Sequence, residues 1–257
     1  MAAGVTVTTT EAPVALLEVR GVGKNFGALR ALDGVDVTVQ ANTFHGLIGP
    51  NGSGKSTLLK AIAGDHFADE GTITFDGKNV TRAIPAQRSR QGLSLKFQIT
   101  AVLPELSTYD NILLALQAHR SIWGLLRSNS RRALHGEILE TLARFQLAEK
   151  ADDLAGELSH GQQQWLEIAM ALTQRPKLLL LDEPTGGMSP EERRATGELL
   201  APIKAHCAMV IVEHDLDFIK DICDRLTVLD NGKVLDDGTV DQIEKSSRVQ
   251  EVYTTRV

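Results

Sequence analysis

Cysteine is scarce in this sequence: Cys207 and Cys223 are too few for a disulfide framework. Thiols in such numbers are expected to pack as small apolar groups in a reducing compartment. Positive charge is not in excess either. Lys and Arg total 27 against 33 Asp and Glu, a formal net charge of −6, so a nucleic-acid backbone is not expected as the main partner. No apolar run approaches the roughly 20 residues of a membrane-spanning helix, so any work at a membrane is expected from its surface. The opening "MAAGVTVTTTEAP" lacks the basic start and apolar stretch of a signal peptide, and residues 1–14 read as a flexible tail. No internal repeat is present. What remains is ordinary globular usage over 257 residues, enough for one α/β domain or two small ones.

From Leu16 to Gly77 the pattern is mostly short strands. "LLEVRGV", "VDVTV" and "TITFDG" alternate apolar and polar residues, and Asp76-Gly77 supplies a turn. The run "FHGLIG" ends in a glycine-rich segment, followed by "STLLKAIAG" with helical spacing and a stop at Gly64. From about 100 to 160 the chain reads as a helical insertion. Beyond Gly161, the helix "QQWLEIAMALTQ" precedes strand "KLLLLDEP", helix "PEERRATGELLAPIKAH" and strand "AMVIVEHD". A hairpin turning at Asn231-Gly232 follows, and 240–257 reads as a C-terminal helix. Helices between continuous apolar strands predict an α/β fold with a mostly parallel sheet core. A small antiparallel β region stands in front and a helical part is inserted, all within one domain over 15–257.

The stretch "GPNGSGKST", Gly49 to Thr57, matches the phosphate-binding pattern G-x-x-x-x-G-K-[ST] between a strand and a helix. Glycines let backbone N–H groups turn inward around a phosphate, and the next helix offers its positive end. Lys55 is placed to reach the β- and γ-phosphates of ATP, and Ser56 to hold Mg²⁺. Strand "LLLLDEP" delivers two carboxylates: Asp182 suits a water-mediated Mg²⁺ contact and Glu183 suits the base that orients water. Each of these has a bland reading, a solvated strand end or an incidental turn, which their co-occurrence weakens. His214 in "VIVEHD" and Gln98 in "LKFQIT" end apolar strands in the same manner. His214 could meet a γ-phosphate oxygen, and Gln98 could meet Mg²⁺ or the attacking water.

Phosphate loop, Gln98, "LSHGQ" at Leu158–Gln162, "LLLLDEP" and His214 stand in the order found in the ABC (ATP-binding cassette) ATPase, which this sequence resembles from about Leu16 to Val252. The resemblance implies a P-loop NTPase fold with antiparallel and helical subdomains. It implies that Phe26 stacks on adenine and that Gly49, Pro50, Asn51, Gly52, Ser53, Gly54, Lys55, Ser56 and Thr57 cradle the phosphates. It further implies that Ser159, His160, Gly161, Gln162 and Ser189 meet ATP held by a second ATPase subunit, identical or paralogous. Two departures stand out: His160 where Gly is usual, and Ser189 where Asp is usual. Ser159 and His160 also look like a nucleophile beside its base, but adjacent side chains rarely point at each other.

"LSHGQQQWLEI", the helical insertion and the ending "GTVDQIEKSSRVQEVY" resemble the ATPase subunits of importers for branched-chain amino acids, and those for urea and amides. That resemblance implies two integral-membrane permease subunits, an extracytoplasmic solute-binding protein, and residence on the cytoplasmic face of the membrane. The alternatives are an exporter ATPase of the lipopolysaccharide-transport type and a soluble ABC ATPase without a transport role. Val102, Leu103 and Leu106 read equally as a permease-docking patch or as core. Trp123, Arg127, Arg131 and Arg132 read as a helix end with a solvated basic face, with lipid contact as the sharper alternative.

Overall fold

The computed structural model describes residues 15–96, 102–118 and 130–255. Strands β1 (Ala15–Phe26), β2 (Leu29–Gln40) and β3 (Phe44–Ile48) lead to helix α1 (Lys55–Ala63). Strands β4 (Glu70–Phe75) and β5 (Lys78–Asn79), helix α2 (Pro85–Arg90) and strand β6 (Leu93–Lys96) follow. Among the described residues, α-helices α3 (Thr108–Gln117), α4 (Ser130–Arg144) and α5 (His160–Leu172) come next. Then β7 (Leu178–Asp182), α6 (Pro190–Leu200), β8 (Ala208–Val212) and α7 (Leu216–Ile222) alternate. The chain ends in β9 (Arg225–Asp230), β10 (Lys233–Thr239), α8 (Val240–Glu244) and α9 (Ser247–Thr255). The C-terminal stretch read as one helix is therefore two.

Among the described residues, one sheet has the order β2-β1-β4-β5 and is antiparallel throughout. The other has the order β10-β9-β3-β8-β7-β6; its pairs are parallel except for the β9–β10 hairpin. Both faces of the second sheet are covered, and the all-apolar strands show why. Leu179, Leu181, Met209 and Ile211 pack with the helices α4 and α5, while Leu178, Leu180, Val210 and Val212 pack with α1 and the antiparallel sheet. Successive side chains point to opposite faces, so a strand buried on both must be apolar at every position. The second sheet thus lies between two cores.

The turns follow the sequence closely. Asp76 and Gly77, with φ of 48° and 72°, and Asn231 and Gly232, with 46° and 76°, take the left-handed pair that two-residue hairpin turns require. Helix α1 ends at Gly64 as its left-handed cap, and the buried Arg88 donates to the carbonyls of Ala61 (2.7 Å) and Ile62 (2.6 Å). A cation there offsets the negative end of the helix and fixes α1, whose other end opens the phosphate loop. Cys207 and Cys223 are free and buried among apolar groups, and burial pushes the Cys207 thiol up to about 12.

The helical part places some of the residues that carried two readings. Val102 is buried in the core, Leu103 is exposed and Leu106 is half-buried. Arg131 pairs with Asp110 at 2.8 Å and lies over the Tyr109 ring while its side chain stays 65% exposed, and Arg132 is exposed as well. Trp123 and Arg127 lie outside the described residues, as does the tail 1–14. No helix among the described residues is long and apolar enough to cross a membrane.

Candidate functional site

Parallel strands β3, β8 and β7 are neighbours, so their C-terminal ends open on one edge of the sheet. That edge is where ligands bind in open α/β sheets. β3 runs into Gly49–Thr57, β7 ends at Asp182 and Glu183, and β8 leads to Glu213 and His214. A cleft of about 420 Å³ there is lined by Asn51–Thr57, Glu183 and His214. Phe26 from β1 and the Asn231-Gly232 turn close it from the other sheet and the hairpin.

The loop is shaped by what its glycines permit. A Cβ on Gly49 would stand 2.1 Å from the Leu229 carbonyl oxygen, and one on Gly54 would stand 2.7 Å from that of Ala31. Gly54 is also the N-cap of α1, with φ of 106°, no side-chain cap and no acidic residue in the first turn. Nothing from the helix's own side chains neutralises its positive end, which is therefore suited to an anion. Lys55 is buried, with Nζ donating to the carbonyls of Gly49 (2.8 Å) and Pro50 (3.0 Å). Burial lowers its pKa, and Glu183 and Asp182 oppose that shift. The Ser53 hydroxyl is buried without a hydrogen-bond partner. A buried hydroxyl left unsatisfied beside an uncapped helix end fits a loop built around phosphate oxygens.

Ser56 Oγ stands 3.5 Å from Asp182 Oδ1. Burial raises the pKa of Asp182 and the Glu183 charge adds to the rise, while Ser56, Lys60 and Lys55 pull it down. A hydroxyl and a carboxylate are hard oxygen donors of the kind Mg²⁺ takes, the rest of its shell coming from water and phosphate. The pair fits that ion without a fuller protein cage; no cluster of three or more His, Cys, Asp or Glu is found among the described residues. Gln98 lies outside the described residues.

Glu183 takes a left-handed backbone, φ 49°, which is uncommon for a side-chain-bearing residue and concentrates at functional sites. Its N–H donates to the Val212 carbonyl at 2.9 Å, and its carboxylate accepts from His214 Nε2 at 2.8 Å. Next to His214, Glu213 is buried. Its Oε1 accepts from the Thr185 N–H (2.7 Å) and hydroxyl (2.6 Å), and its Oε2 from the His214 N–H (3.1 Å). Glu213 was missed in the sequence because its role depends on Thr185, 28 positions away. The sole signal was a carboxylate closing an otherwise apolar strand.

Phe26 is 44% exposed and lines the cleft, in an edge contact with His66 at 5.4 Å and with Lys24 Nζ 5.5 Å over its ring. Leu158–Gln162 stand elsewhere; none of them lines the cleft. Ser159 is the N-cap of α5: its hydroxyl accepts from the Gln162 N–H (3.2 Å), and the Gln162 side chain accepts from the Ser159 N–H (3.0 Å). The ring of His160 donates to the Gly186 carbonyl at 3.0 Å, so Ser159 and His160 point to different partners. Ser189 caps α6 in the same reciprocal way with Glu192. The other carboxylate oxygen of Glu192 is 3.5 Å from Ser159 Oγ and would be 2.5 Å from a Cβ on Gly161. Gly161 is thus the residue that admits Glu192 against the start of α5, and the segments around Ser159 and Ser189 form one exposed surface.

Comparison with known proteins agrees with this geometry. The family model described as ABC transporter matches residues 32–186, well over half of the chain. The high-affinity branched-chain amino acid transport ATP-binding protein BraF of Pseudomonas aeruginosa is 32% identical over 93% of this chain and 97% of its own length. A probable branched-chain amino acid transport ATP-binding protein, LivG of Archaeoglobus fulgidus, is 34% identical over 93% of this chain and 95% of its own. A crystal structure of the ADP conformation of an ATP-binding cassette of an ABC transporter superposes with a TM-score of 0.83 at 31% identity, covering 94% of this chain and 99% of that one. By family match, relatives and fold together, the chain belongs to the ABC transporter family as an ATPase cassette.

Proposed function

We propose that this chain drives a membrane importer for branched-chain amino acids from the cytoplasmic face, hydrolysing ATP in the cleft at the end of β3, β7 and β8. The gathering of Lys55, Ser56, Asp182, Glu183 and His214 at that one sheet edge carries the reading. The solute class rests on relatives whose names specify branched-chain amino acid transport.

Phe26 takes the adenine face, and the loop 49–57 offers backbone N–H groups, Pro50 excepted, to the phosphates. Lys55 leaves the Gly49 and Pro50 carbonyls for β- and γ-phosphate oxygens, stronger acceptors that hold its charge in a dry site. Mg²⁺ would be held by Ser56 and Asp182, with Gln98 as the further ligand expected from the sequence, and would supply neutralisation of the phosphate charge. Glu183 accepts a hydrogen bond from the attacking water, and His214, its Nε2–H passing from Glu183, donates to the γ-phosphate. Catalysis here is positioning and fixed charge rather than covalent chemistry.

The surface of Ser159, His160, Gln162 and Ser189, with Gly161 buried at the start of α5, would complete the cleft of a second ATPase subunit, identical or paralogous. A related cassette bound to ADP and phosphate has been solved as a dimer, at 25% identity and a TM-score of 0.75. Two permease subunits and an extracytoplasmic solute-binding protein complete the proposed assembly. The test is to co-purify the chain with its permease and measure which solutes stimulate ATP hydrolysis. Stimulation by leucine, isoleucine or valine is expected. Stimulation by an unrelated solute alone would overturn the solute class and leave the ATPase reading intact.

A further inference from the structure

Three consecutive residues after β8 reach back to the segment after β7. Glu213 holds Thr185 and His214 holds Glu183, as described; Asp215 holds Arg193, Oδ2 to Nη1, at 2.6 Å. The first rung is buried, the second lies in the cleft, and the third stands at the first turn of α6, outside it. Asp215 is doubly engaged. Its Oδ1 accepts from the Phe218 N–H at 3.0 Å as the cap of α7, while Oδ2 takes the guanidinium. With both oxygens committed, the carboxylate plane is set, and the main chain of His214 is held between Glu213 on one side and Asp215 on the other.

We propose that Arg193 is a positioning residue for ATP hydrolysis, acting through Asp215 to hold the His214 loop in register with Glu183. The proposal rests on the catalytic reading of Glu183 and His214 given above. The argument is one of magnitudes. Arg193 and Asp215 side chains are 34% and 24% exposed, and ion pairs so placed contribute little to stability. A displaced catalytic group costs far more in rate, since misplacement by about 1 Å can cost on the order of 100-fold. Arg193 also lies four residues from the cap Ser189, so α6 carries the tie from the exposed surface that includes Ser159 to the His214 loop.

The test compares Arg193→Met, Asp215→Asn, the double variant and His214→Ala, each as the purified full chain at matched concentration. Asn caps a helix as well as Asp does, so Asp215→Asn keeps α7 while removing the charge pair. Arg193→Met and Asp215→Asn should each lower kcat about tenfold, with the KM for ATP unchanged and Tm moving by less than about 4 °C. The double variant should lose no more than either single one, because both break the same contact. Wild-type kcat in both single variants, or losses that multiply in the double one, would overturn the role of Arg193. If His214→Ala itself keeps full activity, the underlying catalytic reading fails instead.

Discussion

Two helix starts in this molecule invite the same ligand and are finished in opposite ways. At α1 the N-cap is Gly54, no side chain caps the end, its first residue is the buried Lys55, and the loop before it carries an unsatisfied serine hydroxyl. At α5 the N-cap is Ser159, which with Gln162 forms a reciprocal capping box, while the Glu192 carboxylate rests against the first turn. The first end is left for an anion from outside, and its cleft supplies the partners. The second already has its Gln162 N–H and its positive end partly answered by the chain's own groups. On the proposed reading, the difference explains why one segment binds ATP in its own subunit and the other serves only when a second subunit presents a phosphate.

Substitutions can break this contrast. The largest effect is expected at Lys55→Ala, which removes the ammonium that donates to the Gly49 and Pro50 carbonyls. Calorimetry should show ATP affinity lower by at least about 100-fold, the worth of charge-assisted bonds to phosphate. Unchanged affinity would remove the uncapped helix end from the reading. Glu183→Gln should leave ATP affinity near wild type and cut turnover by about 10²–10⁴-fold, the range for a general base. Rapid turnover in that variant would sink its assignment.

Smaller losses sharpen the picture. In Glu213→Gln, an amide meets the N–H donors of Thr185 and His214 with one acceptor oxygen instead of two. A stability loss of about 1–3 kcal/mol is expected together with a lower kcat, read by thermal unfolding and steady-state kinetics. Ser159→Ala should cost about 1 kcal/mol through the lost cap. ATP binding by the dilute chain should be unchanged, whereas the hydrolysis rate should lose part of its dependence on protein concentration. A drop in ATP affinity of the isolated chain would erase the distinction between the two helix ends.

Much of the fold was legible because the signals are local. Alternation in "LLEVRGV", the unbroken apolar run Leu178–Leu181 and the left-handed turns at Asp76-Gly77 and Asn231-Gly232 each reflect backbone or burial demands on neighbouring residues. The candidate site was legible for the same reason in Gly49–Thr57, a contiguous loop, and in Asp182-Glu183, a strand end. His160 was visible as a departure, yet its contact with Gly186 was not. Glu213 and Arg193 gave no usable signal, and Glu192 gave only the Ser189-x-x-Glu192 spacing of a helix cap, not its approach to Ser159. Their partners stand 28, 33 and 22 positions away in the chain, and nothing in the spacing of a carboxylate or guanidinium names a partner at that distance.

The sequence by itself determined the phosphate loop, the paired carboxylates, the histidine after β8 and the order of strands and helices, because each is encoded within a few adjacent residues. Only the tertiary structure decided that β3, β8 and β7 lie side by side, bringing Lys55, Glu183 and His214 into one cleft whose lining does not include Ser159. Strand neighbours are chosen by how apolar faces pack across the whole chain, and a polar contact forms only after that packing has set which strand ends meet.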